Sequence, residues 1–371
     1  MNIPFADSAL FNYVRYRARG EPIQSLESLR LPAIRRALVV LTTGMGDAIL
    51  STPVLPALRR AMPQAELRMF CRRAWTPLFR ADADLNGVIP YHGKYRRFFG
   101  TLRKLRAFSP ELAVVLHGND PDILPLCYLA GSRHMVRIPT AGTRYGFLLS
   151  NLSRDADRAT VPGWHYIENR LRILDTLGVP PASGVPRIHL DEPTRHRVAA
   201  RLSADLGGRP YWVLHVYAAD AYKVWPPARA RQLLERALSR LPRFSTVLTG
   251  GAGDRKRLEQ LSAGMSGVHN YAGTLDLAET GALLAGAACV VAPDTGVAHL
   301  AAAVGATVIG LYAPTHASLI GPRAGARAVT VIQKSQTCTP CVEKRCPYTP
   351  DNCMNQVAVD EVYDALARVL H

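Results

Sequence analysis

The sequence predicts an α/β protein of two doubly wound domains, each a parallel sheet covered by helices. Three observations predict it. Short apolar runs rich in β-formers and without alternation, as in strands buried on both faces, recur in both halves of the 371 residues. Glycine-bearing turns lead from these runs into helical stretches. Between the halves lies Gly178–Arg187, rich in Pro, Gly and Ser, which reads as a linker. The expected division is an N-terminal extension over 1–33, one domain over 34–185 and a second over 186–371.

In chain order, Leu10, Phe11 and Val14 suit one face of a short helix in the extension. Ala37–Leu41 is the first strand, followed by the turn Gly44-Met45-Gly46-Asp47 and a helix to about Ala61. Pro53 suits a first helical position capped by Thr52, so the helix kinks or restarts there. Strands are expected over Glu66–Cys71 and Leu112–Leu116, separated by a polar, basic segment. A helix over Trp164–Leu177 closes on Gly178. The second half restarts with strands at Tyr211–Val216, Thr246–Leu248, Cys289–Ala292 and Thr307–Tyr312, and helices at Pro227–Leu241 and Val297–Val304. In such sheets ligands bind beyond the C-terminal ends of the strands, in the cleft.

Three constellations carry chemistry. The turn holding Gly44 and Gly46 lets backbone approach a ligand, and helix-start amides attract negative charge. A dinucleotide fingerprint fails, because Ile49 holds the third glycine's place and Arg72-Arg73 replaces the ribose-binding acid, although an NADP-type site using Arg72 stays open. Asp47, on the catalytic edge of the sheet, suits a general base taking a proton from a hydroxyl; the plain alternative is a helix cap. The second constellation is the strand ending at His215 followed by Lys223-Val224-Trp225-Pro226. Lys223 can offset charge on a departing diphosphate, with an ordinary surface lysine as the alternative. Trp225-Pro226 would pin the next helix to the sheet. Third is Pro293-Asp294-Thr295-Gly296-Val297-Ala298-His299. Thr295 is placed to cap the helix, Gly296 and Val297 to present amides to a diphosphate, Asp294 to bind sugar hydroxyls and His299 to face the same pocket. A buried structural histidine is the alternative for His299.

Cys338-x2-Cys341-x4-Cys346-x6-Cys353 places four thiols at loop spacing in 338–353, a set suited to structural zinc or iron; unligated thiols are the alternative. Cys71, Cys127 and Cys289 stand in apolar surroundings and read as core. Lys and Arg total 45 against 29 Asp and Glu, a net charge of +16, with much of the excess before about residue 110. Such a surface attracts phosphate-rich partners or is simply solvated. The usual nucleic-acid modules are missing, so no nucleic-acid partner is expected. No apolar run approaches the roughly 20 residues that span a bilayer, and no signal-peptide core stands near Met1, so a cytoplasmic protein is expected.

Taken together, Gly46-Asp47-Ala48-Ile49-Leu50-Ser51-Thr52-Pro53, Pro63-Gln64-Ala65, Lys223-x-Trp225-Pro226, Gly250-Gly251, Asp294-Thr295-Gly296-x-x-His299-Leu300-Ala301, Gly305 and Gly310–Pro314 resemble glycosyltransferase family nine, the lipopolysaccharide heptosyltransferases. The resemblance runs from about Arg36 to Leu370. It implies a GT-B architecture, two Rossmann-like domains facing each other across a cleft. It implies inverting transfer from an ADP-heptose-type donor without catalytic metal or other cofactor. Asp47 would be the base and Lys223 the counter-charge to the leaving diphosphate. Asp294, Thr295, Gly296, His299, Gly250 and Gly251 would hold the donor, with Gly44 and Gly46 in the acceptor-side loop. Departures are Ala218-Ala219 where family members often carry Thr or Ser, Met45 for a bulky aliphatic, and Ala313 for Gly. The implied acceptor is a phosphorylated, lipid-linked lipopolysaccharide core, with peripheral contact to the anionic inner face of the inner membrane. A protein acceptor, or a nucleotide-sugar-binding protein without turnover, are the alternatives.

Overall fold

The computed structural model describes residues 3–138, 144–151, 161–181, 183–325, 327–338, 341, 343–349 and 351–371. The chain divides into two compact units, Met1–Gly184 and Val185–His371.

The first unit is a five-stranded parallel sheet in the order β3-β2-β1-β4-β5. Its strands are β1 (Arg36–Leu41), β2 (Glu66–Arg72), β3 (Gly87–Tyr91), β4 (Leu112–His117) and β5 (His134–Arg137). Its helices are α1 (Ile3–Gly20), α2 (Met45–Leu50), α3 (Val54–Ala61), α4 (Thr76–Phe79), α5 (Phe98–Phe108), α6 (Ile123–Leu129) and α7 (Tyr166–Thr176). β1 is central, and Ala37 to Leu41 are all fully buried, as expected of a strand covered on both faces. The register of β1 on β4 shifts between Val40 and Leu41, which sets Leu41 opposite His117. That irregularity falls at the strand end leading into the Asp47 turn, where bulges commonly re-aim side chains.

The helix after β1 does restart at Pro53, but the capping differs from expectation. Pro53 is itself the N-cap of α3, and the Thr52 hydroxyl donates back to the Ile49 carbonyl at 2.8 Å. The helix in the extension is also longer than the apolar positions suggested. α1 runs for 18 residues, with Val14 fully buried and Leu10 and Phe11 packed on the same core. α7 ends as expected: Gly178 adopts φ +66 and Val179 N–H donates to the Leu174 carbonyl at 2.8 Å.

The second unit is a six-stranded parallel sheet in the order β11-β10-β9-β6-β7-β8. Its strands are β6 (Tyr211–His215), β7 (Ser245–Thr249), β8 (Val268–Asn270), β9 (Val290–Pro293), β10 (Val308–Tyr312) and β11 (Val329–Gln333). The helices are α8 (Glu192–Leu206), α9 (Pro227–Arg240), α10 (Arg255–Leu261), α11 (Leu277–Gly286), α12 (Gly296–Ala303), α13 (Ala317–Ile320) and α14 (Val359–Leu370). Trp225 is fully buried and donates its indole N–H to the Val357 carbonyl at 3.1 Å. It therefore ties the start of α9 to the C-terminal segment, beyond the sheet contact expected of it.

Candidate functional site

In the first unit the polar groups gather where the strands end. Asp47 lies in the first turn of α2, and Gly44 rather than Asp47 is the N-cap. Its Oδ2 accepts from the Thr43 hydroxyl at 3.0 Å, and a Cβ on Gly44 would stand 3.3 Å from that oxygen. Glycine there leaves the carboxylate room. Gly46 occupies the same helical turn.

Around Asp47 stand residues that sequence reasoning missed. His117 ends β4, Arg137 ends β5, and Tyr166 and Arg170 sit one turn apart on α7. The Arg170 guanidinium donates to the Tyr166 hydroxyl and lies over its ring, 4.1 Å from the centroid. Burial, with the negative charge of Asp47 and a hydrogen bond to it, pushes the Tyr166 phenol up to about 12, and Arg170 opposes that rise. His117 is pushed down to about 4, first by burial and then by the Arg170 cation; Asp47 pulls the other way. A neutral imidazole therefore stands near the Asp47 side chain. The available signal was position: His117, like His215, is a polar residue closing an apolar strand.

Beside this group is a basic pocket of about 340 Å³, lined by Arg72, Arg73, His92, Arg96 and Arg97 among others. Arg72 donates to the Thr42 carbonyl at 2.7 Å, and Trp75 to the Thr43 carbonyl at 2.8 Å, so the pocket wall is fastened to the Asp47 turn. Tyr95 and Arg97 adopt φ +56 and +51, a left-handed conformation that costs each non-glycine residue about 1–2 kcal/mol. Asp122 holds the loop there, accepting from the Tyr91 hydroxyl at 2.7 Å and from Tyr95 N–H at 2.9 Å. His92 is held below its ordinary value by partial burial, then by Arg97, Arg73, Lys104 and Arg96.

In the second unit, Lys223 and Asp294 meet. Lys223 Nζ donates to Asp294 Oδ2 at 2.7 Å, and the Thr315 hydroxyl donates to the same oxygen at 2.9 Å. His299 Nε2 stands 3.9 Å from Asp294 Oδ1, and both residues are buried. The Thr295 reading needs correction: it is the N-cap residue of α12, but its side chain makes no cap bond. The Thr295 and Tyr312 hydroxyls are instead buried without a partner among the described residues. Gly296 and Val297 form the first turn of α12, where amides lack helical acceptors.

Gly250 and Gly251 follow β7 at the same sheet edge, where the Gly251 amide is engaged by Asp254 Oδ2 at 2.9 Å. His215 Nδ1–H donates to the Thr249 carbonyl at 3.0 Å, and burial pushes this imidazole down to about 4.

Of the C-terminal thiols, Cys353 is buried and Cys338, Cys341 and Cys346 are half-buried. Burial raises the Cys353 pKa, and Cys341 and Cys346 are near enough to add to the rise. Among the described residues no three His, Cys, Asp or Glu side chains are gathered in an arrangement that could hold a metal. The turn Glu343–Arg345 packs against Ala221–Lys223, with Lys344 Nζ 3.8 Å from Asp220 Oδ1. Cys71, Cys127 and Cys289 are buried as expected.

The model of glycosyltransferase family 9 (heptosyltransferase) matches residues 130–351. Lipopolysaccharide heptosyltransferase 1 of Pseudomonas aeruginosa is 28% identical over 334 residues, covering 85% of this chain and 88% of the relative. Two solved structures share the fold of paired parallel-sheet α/β units, the GT-B class. A family 9 glycosyl transferase from Veillonella parvula has a TM-score of 0.73 at 18% identity, covering 92% of this chain and 98% of its own. The E. coli ADP-heptose lipopolysaccharide heptosyltransferase II has a TM-score of 0.71 at 20% identity, covering 90% and 98%.

Proposed function

The chain belongs to glycosyltransferase family 9, the heptosyltransferases of lipopolysaccharide synthesis, and from that premise we propose that it moves heptose from an ADP-heptose donor onto a hydroxyl of a phosphorylated lipopolysaccharide core. The observation that carries the donor side is the 2.7 Å contact between Lys223 and Asp294, which joins two motifs distant in sequence at one sheet edge. Lys223 then stands where it can balance the charge of a leaving diphosphate. Asp294, His299 and the Thr295 and Tyr312 hydroxyls, which have no partner among the described residues, offer acceptors and donors to a sugar and its phosphates.

The reaction balances with protein groups alone. Asp47 takes the proton of the acceptor hydroxyl as its oxygen attacks the anomeric carbon from the face opposite the diphosphate. The bond from that carbon to the diphosphate oxygen breaks, ADP departs with the electron pair, and the configuration inverts. The basic pocket fastened to the Asp47 turn favours an acceptor carrying phosphate over an uncharged protein segment.

No helix among the described residues is long and apolar enough to cross a membrane. The exposed Tyr16 and Phe99 and the arginine-rich surface suit peripheral contact with the inner face of the inner membrane. Cys338, Cys341, Cys346 and Cys353 have the donor chemistry of structural zinc or iron ligands, although no three such side chains are gathered among the described residues.

The test is transfer to heptose-deficient lipopolysaccharide, with ADP-, UDP- and GDP-sugars compared as donors. Asp47→Asn should abolish transfer and leave ADP-heptose affinity within about twofold. Unchanged transfer would refute the base, and preference for a UDP-sugar would refute the donor.

A further inference from the structure

α1 lies ahead of residues 130–351, which the family model matches, and ahead of Arg36, where the motif resemblance begins, so family membership leaves it unexplained. Its inner face is spent on the core: Val14 is fully buried, and Leu10, Phe11 and Ala18 pack beside it. Its outer face carries Asn12, Tyr13, Arg15, Tyr16 and Arg19, all exposed, with Tyr16 73% exposed. Asp7, the single acid of α1, accepts from the Tyr95 hydroxyl and the Arg144 guanidinium. α5 has the same character. It buries Thr101, Leu102, Leu105 and Phe108 and holds no acid. Phe99, 82% exposed, stands outside with Arg103, Lys104 and Arg106.

These two helices form one side of the first unit, and both pack on α6. Tyr95, three residues before α5, joins their starts through Asp7. At the other end Arg17 and Arg106 line a single cavity of about 350 Å³. The segment leading into α5 carries Arg96 and Arg97 of the basic pocket, so the pocket and this side are continuous. Arginine beside exposed tyrosine suits a lipid headgroup layer, where cations meet phosphate and the amphipathic ring sits at the water boundary. Across a two-fold axis the same face would set arginine against arginine, which disfavours a second copy as the occupant.

We propose, on the reading that the acceptor is lipid-linked, that the outer faces of α1 and α5 dock on an anionic bilayer and hold the arginine pocket at its surface. An interfacial helix ordinarily sinks its apolar face among the acyl chains. The core already occupies that face of α1, so contact stays at headgroup depth and yields to salt.

Flotation of the full chain with phosphatidylglycerol–phosphatidylcholine vesicles tests this. Wild type should float with the mixed vesicles, about tenfold less with phosphatidylcholine alone, and come off in roughly 0.5 M NaCl. Tyr13→Ser with Tyr16→Ser, and Arg15→Gln with Arg19→Gln, should each lower the bound fraction about fivefold. Arg240→Gln with Arg243→Gln removes the same charge from exposed positions of the second unit and should leave binding unchanged. Transfer from ADP-heptose to vesicle-embedded heptose-deficient lipopolysaccharide should fall in the α1 variants. Transfer to the deacylated, water-soluble form of that acceptor should hold at the wild-type rate, which also shows that the variants fold. Equal flotation of wild type and the α1 variants overturns the docking face. So does an equal loss in the Arg240 and Arg243 variant, which would assign binding to net charge alone. Vesicle binding that depends on α1, without transfer to either acceptor, refutes the activity and leaves the docking face standing.

Discussion

Lys223 and Asp294 lie 71 residues apart and form an ion pair of 2.7 Å, with the carboxylate 6% and the lysine 18% exposed. Asp294 closes the turn after β9 and Lys223 the turn after β6, and these two strands are neighbours in the sheet. Parallel pairing therefore brings two loops to one edge, and the charges meet because each would otherwise be partly desolvated alone. Removing one partner should cost more than removing both. Lys223→Met is expected to lower stability by about 1–3 kcal/mol, measured by urea unfolding, and Asp294→Asn on that background should recover more than about 1 kcal/mol. Transfer activity should stay lost in the double variant. Additive stability effects would show that the pair is not coupled.

Gly310 and Gly273 explain how the same edge accommodates bulk. A Cβ on Gly310 would lie 2.8 Å from Tyr312 Cε2, and one on Gly273 would lie 2.6 Å from the Ala252 Cα. Gly273 also has φ +69, and its N–H donates to the Gly250 carbonyl at 3.0 Å. Gly273→Ala thus meets both backbone strain and a clash with an unyielding main chain. It should destabilise by about 2–4 kcal/mol and shift the Gly250-Gly251 loop. Gly310→Ala, which presses on a side chain, should cost about 1–3 kcal/mol. Urea unfolding checks both, and a smaller loss in Gly273→Ala than in Gly310→Ala would contradict the ordering.

Much of this was readable in the sequence, and the parts that were not share a cause. β1, β4, β6, β7, β9 and β10 are strongly buried, as is β2 over Met69–Cys71, so their apolar runs announce them. β3, β5, β8 and β11 end the two sheets and are short or partly exposed. β3 even carries Pro90, which an edge strand tolerates because one side needs no ladder bond. The site divides in the same way. Asp47, Lys223 and the Asp294–His299 run sit in contiguous motifs. Tyr166, Arg170, His117 and Thr315 join them only through the fold, from separate strands and helices. The Thr295 cap was misjudged because N-cap position and N-cap bonding are separate properties, and its hydroxyl makes no bond to the helix amides.

The two strand-end histidines make stability depend on pH. His117 and His215 are both pushed down to about 4 by burial, while an unfolded histidine titrates near 6.5. Between those values the unfolded chain binds protons that the native chain refuses. Stability is therefore full above about pH 6.5 and falls as pH drops toward 4, by up to about 3 kcal/mol for each histidine. Urea unfolding at pH 7, 6 and 5 should show the decline. His215→Asn can preserve a donor toward Thr249 and cannot protonate, so it should reduce the slope of the second unit's transition. An equal slope in that variant would remove His215 from the explanation.

The arginine pocket yields a prediction that separates acceptor from donor. Arg96 and Arg97 stand on a loop held in left-handed backbone by Asp122, and Lys104 adds charge nearby. Neutralising Arg96 and Arg97 to Gln keeps polar, flexible side chains of similar length. If phosphate on the acceptor is read here, KM for heptose-deficient lipopolysaccharide should rise about 10-fold or more at low salt. KM for ADP-heptose should not change. The wild-type acceptor KM should also rise with ionic strength more steeply than that of the variant. Equal salt dependence in the two proteins would place acceptor recognition elsewhere.

The cysteine loop has a consequence for catalysis through its neighbour. The turn Glu343–Arg345 lies within the span of the four cysteines and packs on Ala221–Lys223, so closing that loop around a metal would brace the lysine turn. If metal draws together thiols that the structure leaves ungathered, protein purified without chelator should carry about one zinc or iron per chain by plasma mass spectrometry. Removing the metal should raise KM for ADP-heptose several-fold before the fold as a whole is lost, because the loosened loop frees Lys223 from its pairing geometry. Cys341→Ser should reproduce that change, while Cys71→Ser, buried in the other unit's sheet, should leave metal content intact. Metal well below one per chain in both wild type and Cys341→Ser would reduce the four cysteines to packing thiols and leave the lysine turn supported by Lys344 and Asp220 alone.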